Sequence, residues 1–224
     1  MSSTSPRQEV QSIEAVVHGR YLLDLPAGPP LGLLVGFHGY GENADLHMEE
    51  LRRIPGSAGW GLCAVQALHP FYNRAGQVIA SWMTRLDRDE AIADNVRYVA
   101  QVVHAVAARA GASGPLVFLG FSQGAAMAYR AAAAHPGCRG VAVLGGDLPP
   151  ELAERDLATL PPVLLGRGES EEWYDAAKME HDVTLLRAKG VDVRPLVFRG
   201  GHEWTDEFRA AVAAFLAEVR RPAC

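Results

Sequence analysis

The sequence predicts an α/β protein with a mostly parallel central sheet and helices on both of its faces. Short apolar segments alternate with helical patterns along the 224 residues, which is the order of a parallel sheet with crossover helices. The apolar segments are nearly continuous, as strands require when both faces of the sheet are covered. Hydrophobic residues make up 49% and charged residues 21% of the chain, a composition typical of a globular domain.

Six apolar segments are predicted as the strands of this sheet. They are residues 33–37, 62–66, 116–119, 141–144, 163–165 and 193–198. Pro195 counts against the last segment, because proline cannot donate a hydrogen bond within a sheet. Residues 16–25 are predicted to add an antiparallel strand at the edge.

Helical patterns lie between these segments. From Asp89 to Arg109, apolar residues recur at spacings of three and four, which predicts one long helix. Further helices are predicted at residues 124–134, 175–189 and 205–219. We expect residues 1–11 to form a flexible tail and residues 12–224 a single domain. The connections are short, which predicts that there is no large cap domain.

Charge, cysteine content and hydropathy restrict the classes of partner. Lys and Arg number 21 and Asp and Glu 26, a formal net charge of −5, which argues against nucleic acid as a partner. The chain has 3 cysteines and no CxxC or HExxH motif, so we expect no disulfide framework, no metal and no cofactor.

No apolar segment is long enough to span a membrane, and the first ten residues do not resemble a signal peptide. We therefore expect a cytoplasmic protein. The sequence contains no signal for or against a homo-oligomer.

A GxSxG pattern, Gly120–Gly124, follows the third predicted strand. A serine on a tight strand-to-helix turn stands clear of the sheet, and glycines on either side let the turn close. Ligands of parallel sheets bind beyond the carboxyl ends of the strands. Ser122 is therefore predicted to be a catalytic nucleophile, and the backbone N–H of Gln123 an oxyanion-hole donor.

A serine nucleophile requires a base, and the base requires an acid. His202 follows the last predicted strand, and histidine is the side chain best suited to proton transfer near neutral pH. Two candidates for the acid follow neighbouring strands: Glu171, within a group of three glutamates, and Asp147. The chain order serine, acid, histidine is that of the α/β-hydrolase fold.

The loop after the first predicted strand, His38–Gly41, is predicted to supply the second oxyanion-hole donor, the backbone N–H of Tyr40. Residues 39–44 also match the pattern GxGxxA of dinucleotide-binding loops. Such loops require an acidic residue at the end of the next strand, and residues 65–68 contain none. A nicotinamide or flavin site is therefore the weaker interpretation.

With these motifs, residues 31–216 resemble the phospholipase/carboxylesterase family of α/β-hydrolases, which includes acyl-protein thioesterases and small bacterial carboxylesterases. The resemblance rests on the segments HGYG, GFSQG, GESE and Gly201-His202. In this family the acid lies three residues after the glycine that follows the fifth strand, which implies Glu171, although the family usually has aspartate there. The family's thioesterases often have Trp-Phe-Asp where this chain has Trp82-Met83-Thr84, and Leu148-Pro149 resembles the loop that borders the acyl site.

The resemblance and the motifs together predict a serine hydrolase. We expect it to cleave carboxylic esters or thioesters of small or medium apolar acyl groups through an acyl-serine intermediate. The predicted catalytic residues are Ser122, Glu171 and His202, and the predicted substrate-binding residues are Trp82, Leu148 and Trp173. The alternative is a non-catalytic binding or regulatory protein that retains the fold.

Overall fold

A seven-stranded, mostly parallel sheet forms the centre of the protein. The computed structural model describes residues 9–111 and 113–221. These residues form the strands β1 (Tyr21–Asp24), β2 (Leu33–Phe37), β3 (Gly61–Val65), β4 (His69–Tyr72), β5 (Val78–Ser81), β6 (Leu116–Phe121), β7 (Cys138–Leu144), β8 (Val163–Gly168) and β9 (Val193–Phe198). The central sheet has the order β1-β3-β2-β6-β7-β8-β9. Strand β1 is antiparallel to β3, and the other neighbouring pairs are parallel.

Helices cover both faces of this sheet. They are α1 (Ala44–Arg53), α2 (Arg88–Ala110), α3 (Gln123–Ala134), α4 (Pro150–Ala153), α5 (Ala176–Ala188) and α6 (Asp206–Val219). The apolar residues of α1 and α6 pack in one core cluster, and those of α2, α3 and α5 pack in another. The predicted fold class, with helices on both faces and no large cap domain, is confirmed.

The burial of β2 explains why its sequence is apolar throughout. All five of its residues are buried. Val35 and Phe37 belong to the core cluster that contains α2 and α3, whereas Leu34 belongs to the cluster that contains α1 and α6. Successive side chains of a strand point to opposite faces, and here both faces are covered by helices.

The two outer strands of the sheet fit less regular sequences. Strand β1 occupies four of the ten residues predicted for the edge strand and has the predicted antiparallel direction. Pro195 lies in β9 at the opposite edge, where a strand tolerates a residue without an N–H donor. Within the described residues, no helix has the length and apolarity needed to cross a bilayer. Of the predicted tail, residues 1–8 lie outside the described part of the chain.

The sequence does not predict four of the elements: α1, α4, the hairpin formed by β4 and β5, and a 3₁₀ helix at Ser57–Gly59. Helix α4 has four residues, which is too few for a periodic pattern. Strand β4 is exposed along its whole length, so it lacks the apolar alternation that predicts a half-buried strand. The hairpin joins the loop after β2 through a bridge between Glu42 and Ala80.

Candidate active site

Ser122 occupies the turn between β6 and α3. Its backbone has φ 53° and ψ −120°, a region that residues with a side chain rarely adopt. A Cβ atom on Gly120 would lie 2.1 Å from the carbonyl oxygen of Gly124, and one on Gly124 would lie 2.0 Å from that of Phe37. The turn therefore requires glycine at both positions, which is the physical basis of the GxSxG spacing.

His202 and Glu171 form a close pair at the same edge of the sheet. His202 Nδ1 lies 2.5 Å from Glu171 Oε2. The other carboxylate oxygen of Glu171 accepts the backbone N–H groups of Trp173 and Tyr174, at 2.8 and 3.3 Å. The Glu171 side chain is 1% exposed. Both of its oxygens therefore have donors, and the carboxylate is fixed against the imidazole.

The dipeptide Gly145-Gly146, which follows β7, contacts both Ser122 and this pair. A Cβ atom on Gly146 would lie 2.4 Å from the Ser122 carbonyl oxygen, and one on Gly145 would lie 3.0 Å from His202 Nδ1. The ring of Phe121, the residue before Ser122, lies 4.8 Å from the His202 ring, centroid to centroid. The structure thus brings three distant loops together. Within the described residues the His202 ring is hydrogen-bonded to Glu171 and not to the Ser122 hydroxyl.

His38, the first residue of the HGYG loop, is part of the core. Its Nδ1 lies 2.7 Å from the carbonyl oxygen of Gly39, and its Nε2 accepts the backbone N–H of Ala67 at 3.1 Å. Burial lowers the pKa of His38 to about 4. The ring is therefore neutral at neutral pH, with the proton on Nδ1, and it fixes the loop at the end of β2.

Glu42, which the sequence prediction missed, supports the same loop. Its Oε2 accepts the backbone N–H of Gly39 at 2.8 Å. Burial raises the pKa of Glu42, and the hydrogen bond from Gly39 opposes that rise. A Cβ atom on Gly39 would lie 3.3 Å from the Ser122 Cβ, so the loop lies directly against the serine. The N–H groups of Tyr40 and Gln123 donate to no backbone acceptor within the described residues.

The side chain of Gln123 connects the Ser122 turn to the loop after β5. Its Oε1 accepts the backbone N–H of Trp82, and its Nε2 donates to the carbonyl oxygen of Met83, both at 2.8 Å. The indole N–H of Trp82 donates to the His38 carbonyl oxygen at 2.8 Å, and the side chain is fully buried. Trp82 therefore supports the HGYG loop from within the core. This position gives no support to its predicted contact with substrate.

A cavity of about 310 Å³ opens beside Ser122. Leu148 and Trp173, the other two predicted substrate-binding residues, both line it. Asp147 also lines it, where its carboxylate lies 3.7 Å from Lys178 Nζ. The structure therefore brings His202 together with Glu171 and leaves Asp147 on the cavity wall. Within the described residues, no group of three or more His, Cys, Asp and Glu side chains is arranged to hold a metal ion.

Sequence comparison identifies the family. The profile of the Phospholipase/Carboxylesterase family matches residues 23–220, most of the chain. The chain belongs to this family. The resemblance inferred from the HGYG and GFSQG segments is thereby confirmed.

Solved structures of similar proteins agree with this family. A carboxylesterase from Mesorhizobium loti is 26% identical, with 89% of this chain and 94% of that chain covered and a TM-score of 0.73. A carboxylesterase from Bacillus cereus, 15% identical, covers 90% of this chain and 94% of its own, with a TM-score of 0.73. Acyl-protein thioesterase 2 from Zea mays, 20% identical, covers 91% and 100%, with a TM-score of 0.66. The last two show the shared fold alone. A search of curated proteins found no match to this sequence.

Family membership makes the chain a hydrolase of the carboxylesterase and thioesterase type.

Two residues near Ser122 that the motifs do not contain are Glu42 and Arg130. Glu42 directly follows HGYG, and Arg130 lies eight residues after Ser122 on α3. The place of Glu42 beside the motif is a signal that the sequence carries, whereas Arg130 has no such signal, because its burial depends on the contact with the distant Glu151.

Proposed function

We propose that this chain is a serine hydrolase that cleaves carboxylic esters or thioesters of small or medium apolar acyl groups through an acyl-serine intermediate. One observation carries the proposal: a serine with backbone φ 53° at the end of β6 lies in the same loop cluster as His202 paired with the buried Glu171. The substrate is a small molecule, the reaction requires no cofactor, and the expected location is the cytoplasm.

His202 acts as the general base in this proposal. Because its Nδ1 faces Glu171, Nε2 is the atom that accepts the Ser122 hydroxyl proton as the oxygen attacks the substrate carbonyl carbon. The carboxylate of Glu171 stabilises the imidazolium that forms, and it holds the ring in one tautomer. In free enzymes the hydrogen bond from serine to histidine is often long and shortens in the complex with substrate.

The backbone N–H groups of Tyr40 and Gln123 stabilise the negative oxygen of the tetrahedral intermediate. Both are free of backbone acceptors within the described residues, and Gln123 is the first residue of α3, where N–H groups have no partner inside the helix. His202 then gives its proton to the leaving alcohol or thiol. Water attacks the acyl-serine by the same route, which releases the acid and restores the Ser122 hydroxyl.

Hydrolysis of 4-nitrophenyl butyrate by the full chain tests the proposal. Ser122→Ala should lower kcat by about 10⁶ if serine, histidine and glutamate act as a unit. The control is Ser170→Ala, because Ser170 is an exposed serine in the loop that carries Glu171 and should leave kcat unchanged. Equal activity of the Ser122→Ala variant and the native chain would remove the serine from the mechanism. A native chain with no activity toward any ester or thioester would favour the non-catalytic alternative.

A further inference from the structure

The cavity beside Ser122 lies on the acyl side of the proposed reaction, and this inference rests on the proposed function. His202 must protonate the leaving group, yet His202 does not line the cavity. Its walls come instead from the face of α3 and from the loops that contain Met83 and Leu148. The acyl group, which stays bonded to Ser122 after the alcohol or thiol departs, is the part of the substrate that this cavity can hold.

One face of α3 connects the nucleophile to a buried cation. Ser122 directly precedes α3, and it lines the cavity together with Ala126 and Arg130 of that helix. Ala126 and Arg130 lie four residues apart and therefore on the same face, with an axial rise of about 6 Å between them at 1.5 Å per residue. Helical side chains lean toward the N-terminus, which brings the guanidinium of Arg130 back toward the serine.

Arg130 is buried without a full set of acceptors. Its side chain is 3% exposed. Nε donates to Glu151 Oε1 at 2.7 Å, but among the described residues Nη1 has only sulfur partners, Met83 Sδ at 3.5 Å and Met127 Sδ at 4.0 Å. Sulfur is a weak acceptor, and a buried charged donor gains much more from an oxygen anion. The guanidinium therefore offers a charged N–H group at the cavity wall.

The charges around the cavity leave an excess of positive charge. Arg88, Arg130 and Lys178 line it against one carboxylate, Asp147. The ammonium group of Lys178 donates a hydrogen bond to the carbonyl oxygen of Trp173 at 2.5 Å. Glu151 is paired with both Arg130 and Arg88, and the exposed Asp89 lies 3.8 Å from Arg88, so the excess of positive charge holds only for the side chains that line the cavity. Arg88 Nη2 lies 3.8 Å from Glu151 Oε2, an oxygen that is buried and has no hydrogen bond among the described residues.

We infer that the acyl group of the preferred substrate ends in a carboxylate, which Arg130 and Arg88 bind at the end of the cavity away from Ser122. Apolar side chains, those of Met83, Ala126 and Leu148, also line the cavity, so an aliphatic chain links the reacting carbonyl carbon to the anionic end. Among the esters and thioesters of the proposed function, the preferred substrates are thus half-esters or half-thioesters of dicarboxylic acids, in which an apolar aliphatic chain carries a terminal carboxylate.

Two esters with the same six-carbon acyl chain test this inference. One is mono-4-nitrophenyl adipate, with a free terminal carboxylate, and the other is methyl 4-nitrophenyl adipate, in which that carboxylate is masked as a methyl ester. Release of 4-nitrophenol is measured for both above the spontaneous rate. The native chain should hydrolyse the acid with a kcat/KM about tenfold to a hundredfold above that of the masked ester, the value of one or two charge-assisted hydrogen bonds.

Variants identify the cations that cause the preference. Arg130→Met and Arg88→Gln should each lower the ratio of the two kcat/KM values at least fivefold, and Arg88→Glu should bring it below one. Arg88 is partly exposed at the first residue of α2, where an acidic residue is tolerated. The two Arg88 variants therefore remain informative if Arg130→Met fails to fold. The control is Arg97→Gln on the same helix, an exposed arginine outside the cavity, which should keep the native ratio.

A native ratio of one or less would overturn the inference, as would a ratio unaffected by the Arg88 variants. In either case hydrolysis of the masked ester would leave the proposed function standing. Absence of hydrolysis of both esters, with 4-nitrophenyl butyrate still cleaved, would also overturn the inference alone.

Discussion

Two pairs in the region of Ser122 each join a carboxylate to a basic side chain, and the two pairs differ in which partner is buried. In the Glu171–His202 pair, the carboxylate is buried, with donors on both oxygens, and the histidine is the more exposed partner. In the Glu151–Arg130 pair, the cation is buried and the carboxylate is 33% exposed overall. Within the described residues, Glu151 Oε2 has no hydrogen bond, and Arg130 Nη1 has only sulfur partners.

Under the proposed function, this difference distinguishes the Glu171–His202 pair, which transfers a proton, from the Glu151–Arg130 pair, which binds the substrate. A carboxylate with every oxygen satisfied has one arrangement, and it holds the imidazole at a fixed angle. A buried cation with an unsatisfied donor is stabilised further when an anion arrives. Under the proposed function, the Glu171–His202 pair is therefore preorganised for proton transfer, whereas the cavity side retains a capacity to bind.

The largest expected effect concerns the histidine side. Glu171→Gln keeps the shape of the side chain but removes its charge and allows the wrong tautomer of His202, so kcat should fall by about 10⁴ toward any ester. Asp147→Asn, which removes the charge of the other candidate acid, should cost at least a hundredfold less. The measurement is kcat with a neutral ester at saturation. A large loss confined to Asp147→Asn would assign the acid to Asp147 instead.

Glu42 extends the comparison to a third carboxylate, which positions the HGYG loop without touching the reacting atoms. Glu42→Ala leaves the Gly39 N–H without an acceptor, at a cost of about 1–3 kcal/mol, which corresponds to roughly tenfold to a hundredfold in kcat if the Tyr40 N–H shifts with the loop. Glu42→Gln retains an oxygen and should restore most of the activity. Equal losses in the two variants would mean that the charge of Glu42 matters rather than its hydrogen bond.

Two buried tyrosines give the smallest and most closely matched test. Tyr174, which lines the cavity, donates its hydroxyl to Asp182 at 3.0 Å, whereas the Tyr129 hydroxyl on α3 is buried with no hydrogen-bond partner among the described residues. Tyr174→Phe should lower the free energy of unfolding by about 1–3 kcal/mol, because it leaves a buried carboxylate with fewer donors. Tyr129→Phe should change it by less than about 0.5 kcal/mol or raise it. Denaturant titration measures both, and equal destabilisation would contradict the contrast between a buried hydroxyl that has a partner and one that has none.

The sequence predicts the parts of this molecule in which local pattern and burial agree. Strand β2 matches its predicted bounds because a continuous apolar segment is needed in a sheet covered by helices. Strand β9 also matches its predicted bounds, although it is a partly exposed edge strand. The GxSxG turn is predictable because backbone atoms fill the space where two Cβ atoms would lie. The hairpin of β4 and β5 is not, since its first strand is exposed and carries no periodic signal.

Burial and long-range contacts determine the features of the site that the sequence does not predict. Trp82 follows a strand and is aromatic, which suggests a pocket, but whether such a residue faces a cavity or the core depends on packing against Phe37 and His38. Arg130 reads as a solvent-exposed position of an alanine-rich helix until Glu151, 21 residues later, folds against it. Such contacts between distant segments are set by the tertiary structure.

Covalent labelling of Ser122 tests the central claim most directly. The native chain is incubated with a fluorophosphonate, and intact mass and peptide mapping locate the adduct. The account predicts one adduct per chain, on Ser122, which is absent from Ser122→Ala and forms much more slowly in His202→Ala. A folded native chain that gains no adduct, or an adduct that persists in Ser122→Ala, would contradict it.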